Sequence, residues 1–263
     1  MSDRTGIGWT DATWNPVTGC SKVSPGCAHC YAETLALTRL AGKPGYPGLP
    51  WTPENAEANV VLHPDRLDQP LRWHKPRRVF VNSMSDLFHE RVPDDFIWKV
   101  WWRMAEAQRH TFQVLTKRPE RMAWWVYENV YEPAQYGDWT LSSVVGAMSG
   151  RTPNVWLGTS IENDRYVNRA DHLRETTAAV RFISAEPLLG PLPSLDLQGI
   201  DWLIVGGESG PGHRPMDPAW VRDLVERADA AGTAVFVKQG SGRLSGKQGN
   251  LPDDLWARKE MPR

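Results

Sequence analysis

Cys20, Cys27 and Cys30 are the three cysteines of this 263-residue chain, and all lie in one short stretch, Cys20-Ser-Lys-Val-Ser-Pro-Gly-Cys27-Ala-His-Cys30. Thiols with scattered structural roles do not cluster in this way. Gly19, Pro25 and Gly26 bend the segment so that three thiolates can approach one centre, and Cys27 and Cys30 have the spacing of a chelating pair. The odd number of thiols is the informative feature. A closed structural site takes four ligands, so three thiolates leave one position of a zinc ion or of a cubane iron–sulfur cluster open for another group. The alternative is a zinc site completed by a histidine such as His29, which would staple the fold without catalysis.

The elements that must position this loop follow from the hydrophobic pattern. Short β-rich runs occur at 78–82 (RVFVN), 111–115 (TFQVL), 154–158 (NVWLG), 180–184 (VRFIS), 201–205 (DWLIV) and 233–237 (TAVFV). Their near-continuous apolar character is that of strands buried on both faces. Helix-compatible stretches lie between most of them, at 94–109, 119–130, 164–175 and 218–231, with Pro93 and Asp217-Pro218 as starts. An earlier strand is expected over 13–18, weakened by Pro16, with a helix from Tyr31 to about Leu40. The cysteine loop then sits between the first strand and the first helix. The alternation predicts an α/β fold, a partial (β/α) barrel of about six to seven parallel strands with right-handed crossovers. One barrel domain over 1–263 is expected, with loop excursions near 42–58 and 131–152 and a loose tail from residue 240. The Gly- and Pro-rich excursion, and the tail, could each fold over a ligand.

Polar residues stand directly after each strand. RVFVN is followed by Ser83, Ser85 and Asp86, TFQVL by Lys117, and NVWLG by Ser160 and Glu162. VRFIS leads to Glu186, DWLIV to Gly206-Gly207-Glu208-Ser209-Gly210, and TAVFV to Lys238 and Gln239. In parallel α/β sheets these strand ends share one rim, the usual place for ligands and catalysis. Lys238, Glu208 and Lys117 are the candidate catalytic residues, although Lys117 and Lys238 could equally pair with Glu162 or Glu186. Glu208, His213 and Arg214 could bind substrate or form a local salt bridge. The glycine-rich segment matches neither a dinucleotide fingerprint nor a Walker sequence. Trp98, Trp101 and Trp102 have helical spacing and read as core. The basic, aromatic run at 72–78 (RWHKPRR) could touch a nucleic-acid backbone, or simply be a solvated approach to a strand.

Composition narrows the classes. With 41% hydrophobic and 23% charged residues the chain can bury an ordinary core, and a net charge of −1 indicates no general affinity for nucleic acid or anionic membrane. No apolar run reaches the roughly 18–20 residues that span a bilayer, and residues 1–10 lack the features of a signal peptide. A cytoplasmic protein is therefore expected, in a compartment that keeps thiols reduced and favours metal or catalytic roles for cysteine.

A three-cysteine loop after the first strand of a partial (β/α) barrel resembles the radical S-adenosylmethionine superfamily. The usual spacing there is x3 then x2 with an aromatic residue before the last cysteine; here the first gap is x6 and His29 holds the aromatic position. More closely, TWNPVTGCSKVSPGCAHCYAE, SMSDLFHERVP, LTKRPERM, WLGTSIEN, FISAEPLLGP, WLIVGGESGPGHRPM and FVKQG are similar to a phage and prophage family of three-cysteine proteins of unknown function. The resemblance implies a [4Fe–4S] cluster on Cys20, Cys27 and Cys30, with the remaining iron binding S-adenosylmethionine and a 5′-deoxyadenosyl radical acting on a substrate. It also implies cofactor contacts from His29, Tyr31, Ser83, Ser85, Asp86, Ser160, Glu162 and Glu186, and an external electron donor as partner. The substrate would be a small molecule or a nucleic acid, such as a nucleotide or DNA base in a phage context. A zinc-stapled nucleic-acid-binding module, and a barrel hydrolase built on Glu162, Glu186 and Lys238, are the rival expectations.

Overall fold

A computed structural model describes residues 5–131 and 152–262. Seven strands form one sheet: β1 (Ala12–Trp14), β4 (Arg78–Val81), β5 (Thr111–Thr116), β6 (Val155–Ser160), β7 (Arg181–Ala185), β8 (Trp202–Gly206) and β9 (Ala234–Gln239). They lie in the order β1-β4-β5-β6-β7-β8-β9, and every neighbouring pair is parallel. A short antiparallel pair, β2 (Val17–Thr18) and β3 (Val61–Leu62), stands apart from it. The single strand expected over 13–18 is thus two, split at Pro16, which has no N–H to donate to a ladder.

The helices are α1 (Tyr31–Leu37), α2 (Ala56–Asn59), α3 (Asp94–Glu106), α4 (Pro119–Val126), α5 (Arg169–Arg174), α6 (Pro218–Ala231) and α7 (Asp253–Trp256). α6 is bounded as its residues dictate: the Asp217 side chain accepts from the Ala219 amide, Pro218 opens the first turn, and Gly232 leaves in the left-handed region at φ +73°. Four helices are shorter than their patterns suggest, α1 stopping at Leu37 and α3 at Glu106. The segment expected over 119–130 passes at Tyr127 into a π-helical turn, and that over 164–175 is a 3₁₀ turn followed by α5. Trp101 is core, as expected, whereas Trp98 and Trp102 are only half-buried. Among the described residues no helix is long and apolar enough to cross a membrane.

Both faces of the sheet are buried, which is why its strands read as apolar runs. One face packs Val79, Val81, Phe112, Val114, Leu157, Leu203 and Val235 into the main core with α3, α4 and α6. The other carries Phe80, Phe182, Trp202, Ile204 and Phe236, gathered round Trp9. The Trp9 ring lies 4.8 Å from Phe80 on β4 and 6.0 Å from Trp202 on β8. In a flat sheet those strands, four spacings apart, would be separated by about 19 Å, beyond the reach of one indole. The sheet is therefore curled, a half-barrel with an aromatic plug at its base.

Gly158 on β6 illustrates how tightly that interior is filled. A Cβ there would stand 2.5 Å from the Phe182 ring. Gly158→Ala is expected to destabilise the protein by about 1–3 kcal/mol, since the fully buried ring has no free side to move to. A chemical denaturation midpoint equal to wild type would disprove that account.

The tail is not loose throughout. Residues 258–260 run antiparallel to β9, with the Val237 amide donating to Arg258 O and the Glu260 amide to Val235 O, both at 2.9 Å. They cover the edge of the sheet, and Trp202 Nε1 donates to Glu260 O. The excursion near 42–58 is likewise packed, bringing Trp51 to 5% exposure against Ala32, Ala36 and Met84. Of the excursion near 131–152, residues 132–151 lie outside the described residues. The basic run at 72–78 leads into the start of β4, so it lies at the end of the barrel opposite the rim of strand ends.

Candidate functional site

The chain leaves β2 at Thr18, passes the cysteines and enters α1 at Tyr31. Gly19 starts the loop at φ +81°, where a side chain would collide with the backbone carbonyl of Asn59. A 3₁₀ turn over Pro25–Cys27 follows, and Cys30 caps the start of α1. All three cysteines are half-buried and free. They line one cavity of about 160 Å³ at the C-terminal rim of the half-barrel. Phe80 and Leu115, from the barrel interior, and Trp51, from the Gly- and Pro-rich excursion, are apolar parts of its wall.

Of the residues expected at the site, Tyr31, Ser83, Ser85, Asp86, Ser160 and Lys117 line the same cavity as the thiols. Tyr31 ties α1 to the loop after β4, its hydroxyl donating to Ser83 O at 2.6 Å. Ser85 Oγ donates to Val17 O, and Ser83 Oγ exchanges hydrogen bonds with the Asn15 amide. Asp86 is a knot rather than an open ligand. Its oxygens accept from the Phe88 and Lys117 amides, Thr116 Oγ1 and Arg118 Nη1.

His29, Glu162, Glu186, Glu208 and Lys238 are not among the residues lining that cavity. Two of them hold the cysteine loop from beneath. Glu162, with no exposure, accepts from Ser24 Oγ and from Arg169 Nη1 at 3.0 Å, with Lys117 Nζ 3.6 Å away. A Cβ at Gly26 would stand 2.5 Å from Glu162 Cγ, so a larger residue there would have to displace the Glu162 side chain. Glu208 accepts from the Arg214 amide and side chain and interacts with His29 Nδ1 at 2.9 Å, while Arg214 Nη2 also donates to Pro25 O at 3.0 Å. Glu186 and Lys238 form an ion pair with each other beyond the ends of β7 and at β9.

Burial opposes ionisation of Glu208, but the hydrogen bonds from Arg214 and His29 outweigh it and hold the carboxyl at about 2. A carboxyl with a depressed folded-state value contributes stability that is complete above its ordinary value, near 4.5, and is lost as pH falls through about 2. Acid unfolding of wild type is expected to steepen across that window, and Glu208→Gln to remove the steepening. Parallel melting curves of the two proteins from pH 5 to pH 2 would contradict this role.

Sequence reasoning missed the group that surrounds Cys20. Arg118, buried at 9% exposure, donates from Nη1 to Cys20 Sγ at 3.6 Å and to Asp86 Oδ2 at 3.2 Å. Its Nη2 donates to Ser21 O and Ser21 Oγ, and its Nε to Glu90. His89, also buried, meets the same Ser21 hydroxyl through Nε2 at 2.9 Å and accepts the Arg91 amide at Nδ1. Burial and then the Arg118 charge push the His89 value down to about 4, so the ring is neutral and donates to Ser21. Burial and the Asp86 charge push the Cys20 thiol up to about 12 against the pull of Arg118. Burial also raises Cys30, while the amides of Glu33 and Ala32 at the start of α1 act to lower it. Arg118 stands in the polar run just past the end of β5, on the rim the strand ends share, but nothing local marks its sulfur partner 98 positions away.

The donor set can be tested against the metal groups it suggests. Among the described residues no three His, Cys, Asp or Glu side chains are gathered as they would be around one metal ion. A zinc ion needs its sulfur ligands about 2.3 Å from a single point. A cubane cluster takes each thiolate on a different iron, so its ligands ring a volume instead. Cys20, Cys27 and Cys30 line one cavity, and thiolates are ligands suited to either group.

No curated protein and no solved structure matches the chain. A family model described as a protein of unknown function, DUF5131, matches residues 4–251, and the chain belongs to that family.

Proposed function

We propose that the protein is a radical S-adenosylmethionine enzyme whose [4Fe–4S] cluster is held by Cys20, Cys27 and Cys30. The observation that carries this reading is the placement of all three thiols around one cavity at the C-terminal rim of a parallel half-barrel. Cys20, Cys27 and Cys30 would hold the cluster, and such a group bound with S-adenosylmethionine would supply one-electron, radical chemistry toward a substrate.

The chain's own residues contribute position, charge and dryness. Trp51 and Met84 pack against Cys20 and Cys30 and keep water from the inner side of the loop. Lys117, loosely paired with Glu162 at 3.6 Å, places a cation in the cavity wall that suits an anionic group of cofactor or substrate. Ser83, Ser85 and Ser160 bring hydroxyls to the same wall. Lys22 and Val23, also in the cavity wall, are exposed and mark its open side, a natural approach for an external electron donor. The basic run at 72–78 lies at the opposite end of the barrel and gives no support to a nucleic-acid substrate; a small anionic molecule suits the cavity better.

The test is anaerobic purification and reconstitution, with iron, sulfide and zinc analysis and electron paramagnetic resonance of the reduced protein with and without S-adenosylmethionine. The expected result is about four irons per chain and a signal altered by the cofactor. One zinc per chain with no iron–sulfur signal would transfer the protein to the binding modules. A metal-free protein with full activity would point to the hydrolase alternative.

A further inference from the structure

We infer that Arg118 is a positioning residue for Cys20, fixing the first thiol of the loop and setting both how firmly the cluster is retained and how readily it is reduced. The inference rests on the cluster reading and adds a residue to it. Arg118 has the attributes such a role requires. Its guanidinium is 3.6 Å from Cys20 Sγ through Nη1 and anchors the next residue twice, at Ser21 O and Ser21 Oγ, through Nη2. One planar fork therefore holds both the sulfur and the backbone that carries it, which a lysine ammonium cannot reproduce.

The fork is itself held. Asp86 accepts from Nη1 at 3.2 Å and Glu90 from Nε at 2.8 Å, and the Arg118 amide donates to Thr116 Oγ1 at 2.9 Å. The side chain is 8% exposed, so solvent and salt screen its field little. Neutral His89 supports the same Ser21 hydroxyl from the other side.

A donor to a ligand sulfur stabilises negative charge on it. Hydrogen bonds to the sulfurs and local charge are among the terms that set cluster potentials, and outer partners of ligands commonly control metal affinity. The one electron added on reduction, supplied by an external donor, increases the negative charge facing Arg118. Without Arg118 the buried Asp86 carboxylate would lose its cation partner beside Cys20, so retention and potential should both fall.

The experiment compares wild type, Arg118→Gln and Arg118→Lys as full chains, reconstituted anaerobically with iron and sulfide. Iron loss to a chelator and the midpoint of a spectroscopically followed redox titration are the readouts; neither requires turnover. Arg118→Gln is expected to weaken iron retention by about 10–100-fold and to titrate at a more negative potential. Arg118→Lys, which keeps the charge without the fork, should fall between it and wild type. If the glutamine variant does not fold, the same two measurements on the lysine variant decide the matter. A wild type that loads iron, with variants that retain it and titrate identically, would overturn the role of Arg118 alone. So would weaker retention with an unchanged midpoint, the mark of a merely structural residue. A wild type that takes up no iron under any reconstitution would overturn the cluster reading and this role together.

Discussion

Glu162→Ala is expected to lower the unfolding free energy by about 3 kcal/mol and to release the cysteine loop from the barrel. Removing one member of a buried ion pair generally costs about 3–5 kcal/mol because the remaining charge is left without its counter-ion. Glu162 is fully buried and Arg169 nearly so. The lower end of the range applies because Arg169 keeps two other partners, Ser160 O at 2.8 Å and the Tyr166 ring at 4.4 Å. The same substitution takes the acceptor from Ser24 Oγ and opens a void beneath Gly26. Glu162→Gln, which can still accept one of these bonds but not all, should cost about 1–3 kcal/mol. Urea denaturation measures both, and limited proteolysis reports on the loop separately. A loss below about 1 kcal/mol for the alanine variant would mean that the carboxylate does not carry the loop.

On the proposed cluster reading, replacing any one of Cys20, Cys27 and Cys30 by serine is expected to reduce the iron taken up on reconstitution from about four per chain to near background while leaving the metal-free fold intact. The two halves of that expectation have different origins. Three thiols leave no spare ligand, and no fourth cysteine exists to substitute. The main hydrophobic core contains none of the sulfurs, and Cys20 and Cys30 pack instead against the small cluster of Ala32, Ala36, Trp51 and Met84. Serine is close in size, so the metal-free melting temperatures of the variants should lie within a few degrees of wild type, a shift worth about 1 kcal/mol. Iron and sulfide analysis beside thermal melts decides the question. Variants that keep their iron would show that the thiols are bystanders, as the hydrolase alternative requires.

The Gly- and Pro-rich excursion and the tail, expected as loops that could fold over a ligand, show what composition leaves open. Trp51 makes the first a packed cap over Cys20 and Cys30, and Leu251, Leu255 and the pairing of 258–260 with β9 secure much of the second. A few buried side chains anchor a long irregular segment, and composition averages over them. Glu208 shows the opposite case: either substrate binding or a local salt bridge was legible, and Arg214 six positions away forms the salt bridge. The added contact to His29, which turns that bridge into a clasp on the cysteine loop, spans 179 positions and has no local trace.

The sequence by itself determined the parallel α/β class, the rim on which polar residues collect, and the cysteine loop before the first helix. Strand burial on two faces, helix boundaries and chelating spacing are properties of neighbouring residues, so they can be read along the chain. The curl expected of a partial barrel is present, but only the tertiary structure shows what stands inside it, with Trp9 meeting Phe80 and Trp202 together. It also decided that Ser24 reaches Glu162 across 138 positions and Arg118 reaches Cys20 across 98. Such partnerships are set by strand order and register, which juxtapose the ends of different strands. A pattern of hydrophobic spacing specifies which side of a strand is buried but not which distant charge will stand opposite.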